Sequence, residues 1–251
     1  MCALDHQVIA RLWRSVLQRD PRGIFGAHAT RLLNRNWGDQ IPQPGYIGPA
    51  CFEGGLAFIS MNPGGMRGDG LGPTDRTQLE ALRGLRDCSE GDIDATFDRM
   101  RVVLAQAMRT WGIFQKFVQP ILECGHLELE QVAYLNLLKW RTQKSTDLVP
   151  LYECSWQSHT CEQVALLRPK VVVSIGSDAG KAFRRLYSGG ATLFAIPRVI
   201  GNNIGAAGRR EIDRICKWLA SNPIQPPNNP LHLTAGDGCG VDSRGFCARR
   251  R

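Results

Sequence analysis

The run Gly55-Leu-Ala-Phe-Ile-Ser-Met61 is apolar and strand-like, and it halts at Asn62-Pro63-Gly64-Gly65. A strand without alternating polar positions needs cover on both faces, which a sheet between two layers of helices supplies. Where such a strand ends in a rigid polar turn, one amide side chain and several backbone N–H groups reach the carboxyl edge of the sheet. Open α/β sheets bind their ligands along that edge. Asn62 is therefore the first candidate for a reaction centre.

The rest of the chain repeats the alternation. Apolar residues from Asp5 to Leu17 recur at three- and four-residue steps, the period of an amphipathic helix. Asn36 to Pro49 is rich in Gly and Pro and reads as a loop leading to the first strand. Further helices are expected over Thr77–Leu85, Thr96–Trp111, Ile113–Cys124, Tyr152–Leu167, Asp178–Tyr187 and Ala207–Leu219. Val132–Leu138, Lys170–Gly176 and Thr192–Ile196 read as further strands, and Ser177 or Asp178 is expected to cap the helix that follows the third. Strands alternating with helices predict a three-layer α/β/α fold around a central, mostly parallel four-stranded sheet. The composition changes at Ser221. Asn222 to Pro230 is a linker composition and Leu231 to Arg251 has no periodicity, so residues 1–220 read as the folded domain and 221–251 as a disordered basic tail.

The formal net charge is +8, of which the tail carries +2 and the body +6. A basic body suits a polyanion such as nucleic acid, although charge alone does not demand one. No apolar run approaches the ~20 residues of a membrane span, and the N-terminus lacks the basic-then-apolar pattern of a signal peptide. A cytoplasmic protein with no membrane partner is expected. Nine Cys, an odd number, argue against a disulfide framework and for buried thiols acting as small apolar residues.

Three strand ends carry polar residues able to converge. They are Ser60-Met-Asn-Pro-Gly-Gly65, Tyr134-Leu-Asn-Leu-Leu-Lys-Trp-Arg141 and Ile196-Pro-Arg-Val-Ile-Gly-Asn-Asn-Ile-Gly205. Two readings stand side by side. In one, Asn62 and Asn136 only cap turns at strand ends, and Pro197–Gly205 is a surface loop. In the other, they line one site.

The Met61-Asn-Pro-Gly64 string resembles the first motif of the single-strand-selective monofunctional branch of the uracil-DNA glycosylase superfamily. It is also similar to the Ile-Asn-Pro-Gly of the mismatch-specific uracil/thymine branch. Leu135-Asn-Leu-Leu-Lys-Trp-Arg141 resembles the Thr-Asn-Leu-Val-Lys-Cys-Arg strand of the thermostable iron–sulfur branch. Arg168-Pro-Lys-Val-Val-Val-Ser-Ile-Gly176 resembles the Pro-Lys-Val-Ile-Val-Ala-Leu-Gly strand of several branches. The order and rough spacing match from Gly55 to about Leu219.

This resemblance implies a monomeric DNA-repair enzyme that flips a damaged pyrimidine out of single-stranded or mismatched DNA. It would hydrolyse the N-glycosidic bond without a cofactor or metal. Asn62 would position the attacking water, and Asn136 would read the base through an amide that both donates and accepts. Met61, Gly64 and Gly65 would shape the base pocket. Lys139 and Arg141 would neutralise phosphates, and Pro197, Arg198, Val199 and Ile200 would press on the strand as a wedge. Phe58, Trp37, Tyr46 and Phe114 are candidates to stack on the base. Two departures qualify the match. Ile196-Pro197-Arg198 stands where several branches carry His-Pro-Ser, removing a strong donor to the departing base. Trp140 stands where the iron–sulfur branch has a ligand Cys, so no cluster is expected. The alternative function is binding of nucleic acid or a nucleobase without cleavage, because fold does not fix function.

Overall fold

The computed structural model describes residues 4–32, 41–63, 73–142, 148–199 and 203–225. Asp5 caps the first helix, its carboxylate accepting from the Gln7 and Val8 N–H groups, so α1 (His6–Leu17) starts as expected. Trp13, Val16 and Leu17 form its buried stripe. The strand β2 (Leu56–Ser60) is buried at every position, as are β3 (Ala133–Asn136) and β4 (Val171–Ile175). β5 (Thr192–Ile196) is the half-covered edge.

With Tyr46–Ile47 as β1, the sheet order is β1-β3-β2-β4-β5, and β2, β3, β4 and β5 are mutually parallel. The fifth strand, β1 (Tyr46–Ile47), was not expected from the sequence. It lies inside the Gly/Pro-rich stretch read as loop and pairs antiparallel with β3, Tyr46 opposite Tyr134. Gly45 permits the approach. Its φ is +98°, and a Cβ there would lie 2.4 Å from the Tyr134 carbonyl oxygen.

Helices cover both faces. Phe58, Ser60, Tyr134, Asn136 and Phe194 share one face by register. That face meets α3 (Pro73–Asp87), α4 (Ile93–Arg109) and α9 (Ala206–Ser221), with Trp218 of α9 edge-on to Phe194. On the other face α8 (Ser177–Leu186) sits so close that a Cβ on Gly180 would meet Ala195 and Ser174 at 2.7 Å. Helix α8 is capped by neither Ser177 nor Asp178. The chain enters it directly through Gly176, at φ +105°, without a side-chain cap. The long helices expected over Ile113–Cys124 and Tyr152–Leu167 contain π turns, at Phe114–Val118 and Trp156–Thr160. These leave α5 (Gln119–Cys124), α6 (Val149–Ser155) and α7 (Cys161–Leu167) as α segments. Buried Ile224 extends the core past residue 220, and residues 226–251 of the expected tail lie outside the described residues. No described helix is long and apolar enough to cross a membrane.

The cysteines correct an expectation. Cys124 of α5 and Cys216 of α9 form a disulfide, their Cα atoms 5.5 Å apart, across a sequence separation of 92. The pairing follows from the packing of α5 on α9, which the spacing of cysteines along the chain does not reveal. Closing so long a loop restricts the unfolded chain by roughly 4 kcal/mol. Reductant is therefore expected to lower the melting temperature of the wild type by roughly 10 °C and to leave that of Cys216→Ser unchanged. Superimposable wild-type melts with and without reductant would contradict the staple.

Candidate functional site

The carboxyl ends of β2 and β3 carry the site. Ser60 lies opposite Asn136 in the parallel register. The pairing runs on past both strands, from Leu137 N–H to Ser60 O and from Leu138 N–H to Met61 O, each at 2.9 Å. Asn62 thus leaves the sheet one step beyond this extended ladder. Ser60 Oγ donates to Asn136 Oδ1 at 2.5 Å.

Asn136 opens onto a cavity between the sheet and the helices. Tyr134, Trp111, Tyr46, Gln43 and Gln78 share its wall, and Leu82, Leu104 and Met108 supply the apolar side. Its space for the centres of water molecules is about 20 Å³. That holds a water and is too little for a pyrimidine ring, so a base enters only if the wall gives way. Trp111 meets Tyr134 edge-on, with ring centroids 6.1 Å apart.

The wall segment Gln43–Tyr46 is bound from several sides. Gln43 N–H donates to Lys139 O at 2.7 Å. Trp13 Nε1 donates to Gly45 O at 2.9 Å, and Gln163 Nε2 to Pro44 O at 3.0 Å. Lys139 Nζ spans the gap, donating to Asn136 O at 2.8 Å and, more loosely, to Pro44 O at 3.4 Å.

Lys139 corrects the expected phosphate contact. It is 0% exposed, so no phosphate reaches it as the chain is folded. Burial pulls its pKa down from the usual lysine range to about 7. Beside it, His159 is held down at about 4, first by burial and then by the Lys139 charge. Arg141 is also drawn inward. Its Nη2 pairs with Asp75 at 2.9 Å and its side chain is 12% exposed, so it braces the start of α3 and presents little charge to solvent.

The remaining expected residues fall into three groups. Asn62 is half-buried and donates from Nδ2 to Thr142 Oγ1 at 3.0 Å; neither it nor Met61 is in the cavity wall. Pro197, Arg198 and Val199 follow β5. Val199 is 50% exposed and bridges to Asn203, Lys116 reaches Asn203, and Arg198 acts electrostatically on the Tyr134 hydroxyl. Gly64, Gly65, Ile200 and Trp37 lie outside the described residues. Among the stacking candidates Tyr46 lines the cavity, whereas Phe58 and Phe114 are buried outside its wall.

Sequence reasoning missed Ser60, Tyr134, Trp111, Gln43 and Gln78. The two-residue spacing of Tyr134 and Asn136 on one strand face was the available signal for Tyr134. Trp111, Gln43 and Gln78 arrive from three other segments and leave no local mark. Among the described residues no three His, Cys, Asp or Glu side chains gather in a way that could hold a metal ion.

The buried lysine has a measurable consequence. Unfolded, it keeps its proton to about pH 10; folded, it releases the proton near pH 7. Between those values the unfolded chain binds more protons, so this residue makes stability rise with pH across that window, with no change below it. Relative to Lys139→Met, the wild type is expected to gain about 2–3 kcal/mol between pH 7 and pH 9 in denaturant titrations. Parallel pH profiles of the two proteins would contradict the buried charge.

No model of a known protein family matches the chain, and no curated protein matches it in sequence.

Proposed function

We propose that the protein is a monofunctional DNA glycosylase that hydrolyses the N-glycosidic bond of uracil or a related damaged pyrimidine, acting as a cytoplasmic monomer on single-stranded or mismatched DNA. One observation carries this reading. Two amide residues, Asn62 and Asn136, stand at the carboxyl ends of adjacent parallel strands, and Asn136 faces a cavity rimmed by Tyr134, Tyr46 and Trp111. Aromatic walls with a few polar groups are what a flipped base requires.

In this reading the flipped nucleotide places its base against Asn136 and its sugar toward Asn62. Asn62 gives its Nδ2 to Thr142, which leaves Oδ1 as the end that accepts from a water. The water oxygen bonds to the sugar C1′ as the bond from C1′ to the base nitrogen breaks. The bonding pair departs with the base, and the water's proton is lost to solvent or to the base. An amide is too weak a base to remove that proton, so the rate depends on stabilising the departing anion. Arg198 is exposed and near enough to Tyr134 to lend positive charge to that end of the site. Val199 beside it is an apolar side chain free to enter the gap left in the strand.

A second reading is favoured by the absence of Asn62 from the cavity wall. A site that holds a base at Asn136, with no water beside the sugar, binds nucleic acid or a nucleobase without cleaving it. Excision from uracil-containing single-stranded and mismatched duplex DNA separates the two. Asn62→Ala is expected to lower the cleavage rate on the order of 100-fold and to leave DNA affinity nearly unchanged. Asn136→Ala is expected to weaken base recognition about 10- to 100-fold. Equal cleavage by wild type and Asn62→Ala would refute the role of Asn62, and DNA binding with no product from either substrate would establish the binder.

A further inference from the structure

We infer that Ser60 is a specificity-determining residue: its hydroxyl pins the Asn136 amide so that the cavity presents an N–H donor and selects a ring carbonyl over a ring amino group. The inference rests on the reading of the cavity as a base pocket and adds the residue that sets its hydrogen-bond polarity.

Ser60 is the last residue of β2, 5% exposed, and faces Asn136 across the ladder. A serine hydroxyl has one proton to give, and here it goes to Asn136 Oδ1 at 2.5 Å. The bond therefore has one direction, from Ser60 O–H to Asn136 Oδ1.

An amide whose oxygen is held on one side turns its NH₂ to the other. Asn136 lines the cavity and Ser60 does not, so the donor end is the polar end left for a ligand. Lys139 anchors the Asn136 carbonyl at 2.8 Å, so the residue's backbone is fixed as well. A uracil O4 meets the donor productively. The N4 amino group of cytosine sets donor against donor, and a buried donor left without an acceptor is strongly disfavoured. Without the Ser60 hydroxyl, rotation about the last torsion of Asn136 would offer the oxygen instead and admit the amino group.

The test measures equilibrium binding of the free bases uracil and cytosine to the full chain, with wild type, Ser60→Ala and Ser60→Thr. Wild type is expected to prefer uracil, Ser60→Ala to lose about tenfold or more of that preference, and Ser60→Thr, which keeps the hydroxyl, to restore it. A folded Ser60→Ala protein with the wild-type ratio, or a wild type that prefers cytosine or neither base, overturns the inference. Neutron diffraction of the deuterium-exchanged wild type reads the amide without a ligand. The Ser60 deuteron is expected to point at Asn136 Oδ1, and an ND₂ group facing Ser60 overturns the inference on its own. Failure of both bases to bind, with the deuteron where expected, would count against the base pocket and leave the amide orientation established.

Discussion

The site depends on one register. The pairing of β2 with β3 sets Ser60 opposite Asn136, and a slip of one residue would turn every side chain of either strand to the other face. Tyr134 and Asn136 would then face the opposite helices and the cavity would lose both. The register is held by burial on both faces and by the ladder that continues beyond the strands through Leu137 and Leu138. The polar residues at the strand ends are thus positioned by the most apolar part of the molecule.

The second support is the buried ammonium of Lys139. It ties the carbonyl of Asn136, at the end of a central strand, to that of Pro44, in the wall beside the edge strand β1. No carboxylate is among its hydrogen-bond partners among the described residues, and a charge so enclosed is held at a disadvantage that the backbone carbonyls only partly offset. Gln163 and Trp13 grip the same wall from α7 and α1. Helices α1 and α7 therefore converge on two consecutive residues, Pro44 and Gly45, that line the cavity.

Much of the fold was legible in the sequence. β5 was read to the residue and β2 to within one residue at each end, because each is an apolar run between clear breakers. The longer helices were found from their periods, with ends displaced by a few residues where capping is by backbone or absent, as at Gly176, whereas the five-residue helix Pro21–Phe25 is too short to show a period and was not expected. β1 escaped because two residues in a Gly/Pro loop become a strand only by pairing with Tyr134 and Ala133. In the site, Asn136 was legible from its place at a strand end. Lys139 was misread, because a lysine next to Trp140 and Arg141 looks like a basic edge until the fold buries it beside His159 and Gln163. Ser60 passed unnoticed because its partner is 76 residues away.

The central claim is that the edge shared by β2 and β3 receives a pyrimidine. Titration of uracil into the isotope-labelled protein, followed by backbone amide chemical shifts, tests it most directly. The shifts are predicted to move at Gln43, Gly45, Tyr46, Trp111, Tyr134 and Asn136, and to saturate together. A spectrum unchanged by uracil, or changes gathered on another surface, would contradict it.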